Sequence, residues 1–342
     1  PKTVLFLYCI LSSIILFVWR LMGRELLLAP KRVPAILIAS AGLSQELLEE
    51  VNHNTHYPLS FVSNFPLQEG VNSSQIEKAV KDNPEALILL EYSNPFFGRI
   101  AKDMAPALAN HRLLDAREVY EEVFERAPIS DFSYDWVAEV SRKRDTAFYR
   151  FSKRSLDLVL GAPLFIVSLL FYPFVALAIM LEDGRPILIR QERTGRQNIK
   201  IHIYKFRTMR ENERGAWIGE IKNQVTRVGR VLRQTSIDEL PQLWNVLRGD
   251  LSLVGPRSDI AGIAERLETA IPYHALRYLV LPGLTGWAQT HQAYAPGNIS
   301  PQSIEESKVR FAYDLYYLKH RSFLLDLATA LKTIRILLAR LL

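Results

Sequence analysis

Asp238 and Glu239 stand side by side in Arg233-Gln234-Thr235-Ser236-Ile237-Asp238-Glu239-Leu240-Pro241, and basic residues recur around them at Lys205, Arg207, Arg233, Arg248 and Arg257. Adjacent carboxylates set among positive charges suit chemistry on a phosphate. An aspartate can attack phosphorus to give an acyl phosphate, which divides one hard displacement into two easier ones. One or two carboxylates plus substrate phosphates are the usual way a protein holds magnesium, and phosphoryl transfer otherwise asks mainly for positioning and charge neutralisation. Arginine's planar fork binds phosphate oxygens bidentately, which ranks Arg233 and Arg257, the two flanking the dyad within the motifs, above Lys205, Arg207 and Arg248. A plainer reading competes. Ser236 followed three residues later by Glu239 is a capping box, and acidic residues are favoured in a helix's first turn by its dipole. Taken alone, Asp238-Glu239 would be a helix start.

The surroundings shift the balance toward chemistry. Tyr204-Lys205-Phe206-Arg207-Thr208-Met209 precedes the dyad, whose segment runs on through Gln242-Leu243-Trp244-Asn245-Val246-Leu247-Arg248-Gly249-Asp250. Ser252-Leu253-Val254-Gly255-Pro256-Arg257, Pro282-Gly283-Leu284-Thr285-Gly286-Trp287-Ala288-Gln289 and Asp314-Leu315-Tyr316-Tyr317 follow in order. This series resembles the bacterial sugar transferase family, the monotopic phosphoglycosyl transferases that start glycan assembly on polyprenyl phosphate. The likeness extends from about Lys153 to the C-terminus, and the stretch before it resembles the region appended in the family's longer members.

The resemblance implies a two-step exchange. A carboxylate attacks the sugar-linked phosphate of a nucleoside diphosphate sugar, usually a uridine nucleotide, and releases the nucleoside monophosphate; polyprenyl phosphate then takes the sugar phosphate from the enzyme. This would be the first membrane step of exopolysaccharide or other glycan assembly. On the same resemblance Asp238 is the nucleophile that carries the phosphosugar, Glu239 assists as base or orienter, and Mg2+ is held at the dyad by Asp238, with Glu239 as a further ligand. Two positions depart from the family pattern: Tyr172-Pro173 replaces Ser-Pro at the membrane bend, and Ser258 replaces the second proline of Gly-Pro-Arg-Pro. The rival reading is a membrane-anchored regulator or scaffold that keeps the fold without catalysis. The combination of Asp238, Glu239, Arg233 and Arg257 argues against it.

Elements must hold these groups at a membrane. The chain has 342 residues, 49% hydrophobic and 23% charged, enough for two domains with real cores. Its net charge of +6 is concentrated: residues 183–257 carry +7 and the remainder −1. Such a patch suits phosphate-rich small molecules, anionic headgroups or nucleic acid; carboxylates amid the charge and few clustered aromatics weigh against nucleic acid. Thr3–Trp19 is an uncharged apolar run followed by Arg20, Arg24, Lys31 and Arg32, which reads as an uncleaved anchor with the following chain cytoplasmic. The one cysteine, Cys9, lies in that run and forms no intramolecular disulfide. From Val33 to Pro128 short apolar runs alternate with helical spacing, as in a small α/β unit with a parallel sheet. Its first turn, Ala39-Ser40-Ala41-Gly42, has one glycine where a dinucleotide fingerprint needs several, so a regulatory or structural role is the default.

Leu158–Leu181 is uncharged for 24 residues and interrupted by Gly161, Pro163 and Pro173. Basic residues on both flanks conflict with a simple span, and a re-entrant hairpin bending at Tyr172-Pro173 resolves the conflict. Phe323–Leu342 has apolar residues at helical spacing and reads either as an interfacial amphipathic helix or as one packed on the catalytic domain. The expected fold is therefore an α/β and α+β membrane protein. A transmembrane anchor over 1–24 leads to a small Rossmann-like α/β domain over 33–128, a linker over 129–152 and a catalytic domain over 153–342. That last domain holds a re-entrant helix at 158–181 and amphipathic interfacial helices. Its expected partners are a nucleoside diphosphate sugar, polyprenyl phosphate and the lipid bilayer, without nucleic acid and with homo-oligomerisation left open. The active site is placed on the cytoplasmic face of the bacterial inner membrane.

Remaining residues receive plainer assignments. Arg190, Arg193, Arg196 and Lys200 read as a solvated or headgroup-facing surface, Asp250 as a turn residue and Asp157 as the partner of a nearby base. Gln289 is weighed as a contact to nucleotide or sugar. The seven histidines lack metal-ligand spacing, which argues against zinc.

Overall fold

The computed structural model describes residues 8, 12, 32–54, 57–68, 72–128, 134–142, 145–210, 225–294 and 300–341. The anchor expected over residues 1–24 lies outside the described residues, apart from Tyr8 and Ser12. The chain divides into two compact units, Pro1–Val123 and Phe124–Leu342.

The first unit alternates strands and helices: β1 (Val33–Ala39), α1 (Ala41–His53), β2 (Leu59–Pro66), α2 (Ser73–Asp82), β3 (Leu87–Leu90), α3 (Phe97–Leu108), β4 (Leu113–Asp115) and α4 (Ala116–Phe124). The strands form one sheet in the order β2-β1-β3-β4, parallel throughout. Residues Ala35 to Ala39 are completely buried, as a central parallel strand covered on both faces must be. Ile36, Ile38, Ile88 and Leu90 pack with Ile76, Val80 and Met104, so α2 and α3 supply one cover. The Ser40 N–H at the start of α1 donates to the buried Glu91 carboxylate at 2.5 Å. A carboxylate thus stands at the helix N-terminus, where a dinucleotide fold would seat a phosphate.

The second unit begins at Phe124 rather than at the expected Lys153. The Ala127 N–H donates to the Ala312 carbonyl at 3.0 Å, and Val140 of α5 (Tyr134–Arg142) lies in this unit's core. The 129–152 stretch expected as a linker therefore holds a packed helix. Next come α6 (Ala147–Leu169), capped by Thr146, and α7 (Tyr172–Asp183). The pair is bent by 52°. Pro163 is carried inside α6, while Pro173 sits in the first turn of α7, where a missing N–H costs no helical bond. The break thus falls at Leu170 and Phe171. No single helix among the described residues is long and apolar enough to cross a membrane; α6 and α7 meet that test together. Their outer faces are bare, with Phe174 73% and Leu181 79% exposed, and a continuous apolar surface of this kind marks a contact with lipid or protein.

An antiparallel hairpin follows, β5 (Leu188–Thr194) with β6 (Lys200–Phe206), and then α8 (Arg227–Thr235) and α9 (Gln242–Arg248). A short parallel pair, β7 (Ser252–Val254) and β8 (Gly283–Thr285), is joined through α10 (Ala261–Ala270). Three helices complete the unit: α11 (Trp287–His291), α12 (Ile304–His320) and α13 (Phe323–Leu341). Its core gathers Leu243 and Val246 from α9, Leu253 and Val254 from β7, Trp287, and Phe311, Leu315 and Leu318 from α12. Truncating a fully buried aromatic such as Phe311 would cost about 3–5 kcal/mol. Helix α13 packs on this unit along one face, the second of the two readings of its sequence. Asp326 and Thr329 are buried on its inner face, whereas Leu324, Leu331, Ile334 and Leu338 are exposed on its outer one.

Candidate active site

The dyad sits in a tight link between two helices. Thr226 caps α8 by accepting from the Gly229 N–H at 2.8 Å. Ser236 ends α8 in the left-handed region at φ 59, and a single 3-10 turn, Ile237–Glu239, carries both carboxylates before Pro241 leads into α9. The capping box read from the sequence does not form. Ser236 makes no side-chain cap, and the Glu239 carboxylate accepts from both terminal nitrogens of Arg257, Nη1 to Oε2 at 3.2 Å and Nη2 to Oε1. A non-glycine residue at positive φ two positions before the buried Asp238 and three before the partly buried Glu239 is the kind of strain that surrounding structure must enforce.

Arg257 is delivered by the β7–β8 pair. Gly255 N–H donates to the Thr285 carbonyl and Gly283 N–H to the Pro256 carbonyl, each at 2.9 Å. The loops touch so closely that a Cβ on Gly283 would lie 2.1 Å from the Gly255 nitrogen, and one on Gly286 2.3 Å from the Gly255 oxygen. The glycines of the two motifs are thus required by backbone approaching backbone. The Arg257 carbonyl is held in turn by Arg277 Nη2 and Arg310 Nη2, both at 2.9 Å. Those guanidiniums belong to a buried network in which Arg277 pairs with Asp259 and with Asp314, 2.7 Å away. Where Ser258 replaces the second proline, its carbonyl accepts from Arg193 Nη1 at 2.9 Å.

The environment separates the two carboxyls. Burial and the neighbouring Glu239 charge push Asp238 up to about 7, against the pull of Lys205, Arg233 and Arg257. Glu239 is also desolvated, but the Arg257 charge and hydrogen bonds outweigh that and hold it below the usual carboxylate range, with Lys205 and Arg193 helping. Two titratable neighbours driven apart in this way are a feature that catalytic carboxylate pairs share with structural ion pairs.

Of the five basic residues singled out from the sequence, Lys205, Arg233 and Arg257 act on Asp238. Arg233 also donates to Thr208 Oγ1 at 3.0 Å and to the Met209 sulfur at 2.8 Å. Arg207 is engaged elsewhere, with Asp183 at 2.8 Å and with the Arg185 and Arg210 carbonyls. Arg248, half exposed at the end of α9, pairs with Asp250 at 3.4 Å. Asp250 also accepts from the Asn245 amide, after Gly249 closes α9 at φ 91, so it is a turn residue. The sequence reading missed Arg193, which is buried rather than surface-facing, and the Arg277–Arg310 pair. Only Asp314 of that network lay within a quoted motif.

Both ends of the bent helix pair are tied to this site. Lys153 Nζ donates to the Val254 carbonyl at 2.8 Å and pairs with Asp326 at 2.9 Å. Arg154 donates to the Val246 and Leu247 carbonyls at the end of α9. Asp157 accepts from the Leu253 N–H at 2.8 Å and the Ser252 hydroxyl at 2.9 Å, and the nearby Lys153 and Arg154 charges act on it as the sequence reading expected of a basic neighbour. At the exit of α7, Glu182 accepts from the Arg227 and Val228 N–H groups of α8, each at 2.7 Å.

A cavity of about 490 Å³ opens beside Glu239. Its walls are aliphatic, with Leu160, Leu164 and Val167 from α6 opposite Ile334 and Leu337 from α13, and its polar end carries Ser236, Glu239, Thr285 and Gln289. Among the described residues no three carboxylates, histidines or cysteines converge as a ready-made metal cage. Because Arg257 takes both Glu239 oxygens, Asp238 is the carboxylate a hard cation would use, sharing it with substrate phosphates as magnesium commonly does.

The sequence profile described as "Bacterial sugar transferase" matches residues 148–340. The chain is 38% identical over 196 residues to the UDP-N-acetylgalactosamine-undecaprenyl-phosphate N-acetylgalactosaminephosphotransferase of Aeromonas hydrophila, covering 56% of this chain and 44% of that protein. It is 42% identical over 192 residues to the UDP-glucose:undecaprenyl-phosphate glucose-1-phosphate transferase of Caulobacter vibrioides, covering 54% of this chain and 69% of that one. Similarity to the undecaprenyl-phosphate glucose phosphotransferase of Komagataeibacter xylinus reaches into the first unit, at 28% identity over 352 aligned residues, 94% of this chain and 63% of the relative. The chain thus spans less than half the length of the first of these relatives and about two thirds of the other two. With the profile match covering more than half of the chain, including the dyad and the stretch from α6 to α13, the chain belongs to the bacterial sugar transferase family.

Proposed function

We propose that the protein transfers a sugar 1-phosphate from a nucleoside diphosphate sugar, of the uridine class, to polyprenyl phosphate. The observation that carries this reading is the dyad beside an apolar cavity that Glu239 lines: Asp238 pushed up, Glu239 held down by Arg257, and Lys205, Arg233 and Arg257 acting on Asp238. The names of the relatives point to the same two substrates.

In the first step the Asp238 carboxylate attacks the sugar-linked phosphorus. A new phosphorus–oxygen bond forms as the bond to the bridging oxygen breaks, and the nucleoside monophosphate departs with that electron pair. In the second step an oxygen of polyprenyl phosphate attacks the same phosphorus and the Asp238 carboxylate leaves unchanged. Lys205, Arg233 and Arg257 neutralise the phosphates, and Glu239, anchored by Arg257, orients the acceptor phosphate or takes its proton. Magnesium bound by Asp238 would add charge neutralisation across the phosphates. The aliphatic walls of the cavity suit an isoprenoid chain and bring its phosphate to the dyad.

The geometry also supports a monotopic arrangement. Lys153 to Asp157 at one end of the α6–α7 pair and Glu182 at the other bond to the same folded unit, so both ends lie on one side of any bilayer the bend enters. We place that side at the cytoplasmic face of the bacterial inner membrane, where nucleotide sugars are available. The decisive experiment incubates the protein with a panel of uridine diphosphate sugars, undecaprenyl phosphate and magnesium and follows uridine monophosphate. Release that depends on Asp238 and yields the lipid-linked sugar diphosphate supports the reading; no release with any donor rejects it.

A further inference from the structure

Arg193 is a buried base that the proposed chemistry leaves without a role. It alternates with Gln191 along β5, so the two side chains lie on one face of the strand. Gln191 Oε1 accepts from Arg193 Nε at 3.0 Å and from Nη2 at 2.6 Å, which fixes the plane of the guanidinium. The other terminal nitrogen, Nη1, donates to the Ser258 carbonyl at 2.9 Å. The backbone of β5 joins the same segment one step further on, where the Thr194 N–H donates to the Asp259 carbonyl at 2.9 Å and Arg193 stands opposite Ile260. The side chain thus carries the hold one residue closer to Arg257 than the backbone pairing reaches.

The Pro256 carbonyl accepts from the Gly283 N–H, the Arg257 carbonyl from Arg277 and Arg310, and the Ser258 carbonyl from Arg193. Three successive peptide planes are therefore tethered, and the Arg257 side chain leaves the middle of that run to meet Glu239. A proline at 258 would fix that residue's φ by its ring. Serine does not, and the bond from Arg193 holds the plane that follows it instead. A neutral amide could supply one such donor. The guanidinium supplies it together with a charge that acts on Glu239, and a desolvated charge is a costly way to hold a carbonyl alone. We propose that Arg193 is a positioning residue of the transfer reaction: by holding the Ser258 carbonyl it sets the approach of Arg257 to Glu239 and to the substrate phosphates. The inference rests on the transferase reading and deepens it, because it adds to the site a residue that acts through Arg257 rather than on a reacting atom.

The test compares the full chain with Arg193→Met, Arg193→Lys and Gln191→Leu, using the best uridine diphosphate sugar from the donor panel, undecaprenyl phosphate and magnesium. Single-turnover and steady-state release of uridine monophosphate are followed, with unfolding midpoints on the same samples. Arg193→Met keeps the apolar stem but loses the donors, and its kcat should fall roughly 10²-fold, the scale of an ångström of misplacement. Donor KM should move less than about threefold, because Lys205 and Arg233, which also act on Asp238, remain to hold the phosphates. Arg193→Lys can still reach one acceptor and should recover about tenfold of that loss. Gln191→Leu leaves the charge but removes the acceptor that orients it, and should lose about tenfold. In an Arg257→Lys background, where the fork that Arg193 aims is gone, adding Arg193→Met should cost less than about threefold more.

Parental kcat in Arg193→Met would overturn the assignment. So would a loss that disappears once rates are corrected for folded protein, or an equally large loss in the Arg257→Lys background, which would send the effect of Arg193 along another route. Should Arg193→Met fail to fold, parental kcat in both Gln191→Leu and Arg193→Lys would overturn it, and the graded losses would uphold it. If the unmodified protein releases uridine monophosphate from no donor, the transferase reading falls and this inference with it. Transfer that is indifferent to Arg193 and Gln191 sinks the inference alone.

Discussion

Arg257 donates through both terminal nitrogens to the two oxygens of Glu239, 18 positions earlier in the chain, while its own carbonyl is gripped by Arg277 and Arg310. This arrangement favours the charged form of Glu239 over that of its neighbour Asp238. With Glu239 neutralised by a dedicated partner, Asp238 keeps its chemistry for something that enters from outside. Removal of either acid should therefore have different consequences.

Asp238→Asn should abolish nucleoside monophosphate release, a loss on the order of 10^4-fold or more for a residue that forms the covalent bond. Glu239→Gln should retain measurable activity and also lower the Asp238 pKa, because the Glu239 charge is one of the two causes holding it up. Rates of monophosphate release across pH for both variants check this. Full activity in Asp238→Asn would remove the nucleophile assignment.

Activity and stability should move in opposite directions as pH rises toward neutrality. Asp238 is pushed from its ordinary value of 3.8 up to about 7. The native state therefore favours the protonated acid, whose stabilising contribution is complete below 3.8 and lost as pH climbs through 7. The slope of that loss approaches about 1.4 kcal/mol per pH unit for a single group. On the proposed mechanism Asp238 must be ionised to attack, which it is only at the upper end of the same window, so turnover at limiting magnesium should rise with an apparent pKa near that value. Added magnesium should shift the limb to lower pH, since a bound cation favours the carboxylate. Unfolding midpoints of the parent and Asp238→Asn from pH 4 to 8 test the stability half, and the variant should lack the slope.

Gly283→Ala should destabilise the dyad-bearing unit by about 1–3 kcal/mol and lower activity with it. Its Cβ would strike the Gly255 backbone at 2.1 Å, where no flexible side chain can give way. Denaturant midpoints would report the first effect and steady-state rates the second. A variant of parental stability would mean the two loops are not pressed together.

Arg277→Ala should be worse, at about 3–5 kcal/mol, because it takes the shared partner from two buried carboxylates, Asp259 and Asp314, and leaves Arg310 as their remaining cation. Arg277→Met combined with Asp259→Asn should recover part of the loss. Chemical denaturation of the three proteins is the measurement.

Cysteine labelling in sealed vesicles checks the topology. With Cys9 replaced, single cysteines at Phe148, in the first turn of α6, and at Arg185, just beyond α7, should both react from the same side of the membrane. Labelling from opposite sides would rule out a re-entrant pair.

The fold was partly legible in the sequence. The parallel sheet followed from short, fully apolar strands such as Ala35-Ile36-Leu37-Ile38 alternating with helical spacing, a pattern that burial on both faces imposes. The apolar stretch from Leu158 was equally plain. The exact break was not, because proline is tolerated both inside α6 and in the first turn of α7, so composition marks a region and packing chooses the residue. The capping box failed for a related reason. Ser236 and Glu239 have the right local spacing, but a guanidinium 18 residues downstream competes for the same carboxylate and wins.

By itself, the sequence determined that two adjacent carboxylates lie among basic side chains and that the motifs carrying them occur in a specific order. Tertiary structure alone decided which bases reach the dyad. Arg207 lies one residue beyond β6 and turns to Asp183, whereas Lys205, on the same strand, acts on Asp238. Arg193, unremarkable in sequence, is buried and acts on Glu239. The physical reason is that charge pairing is set by distance and burial. Linear spacing constrains neither once the chain has crossed from a hairpin to a helix to a glycine-packed loop.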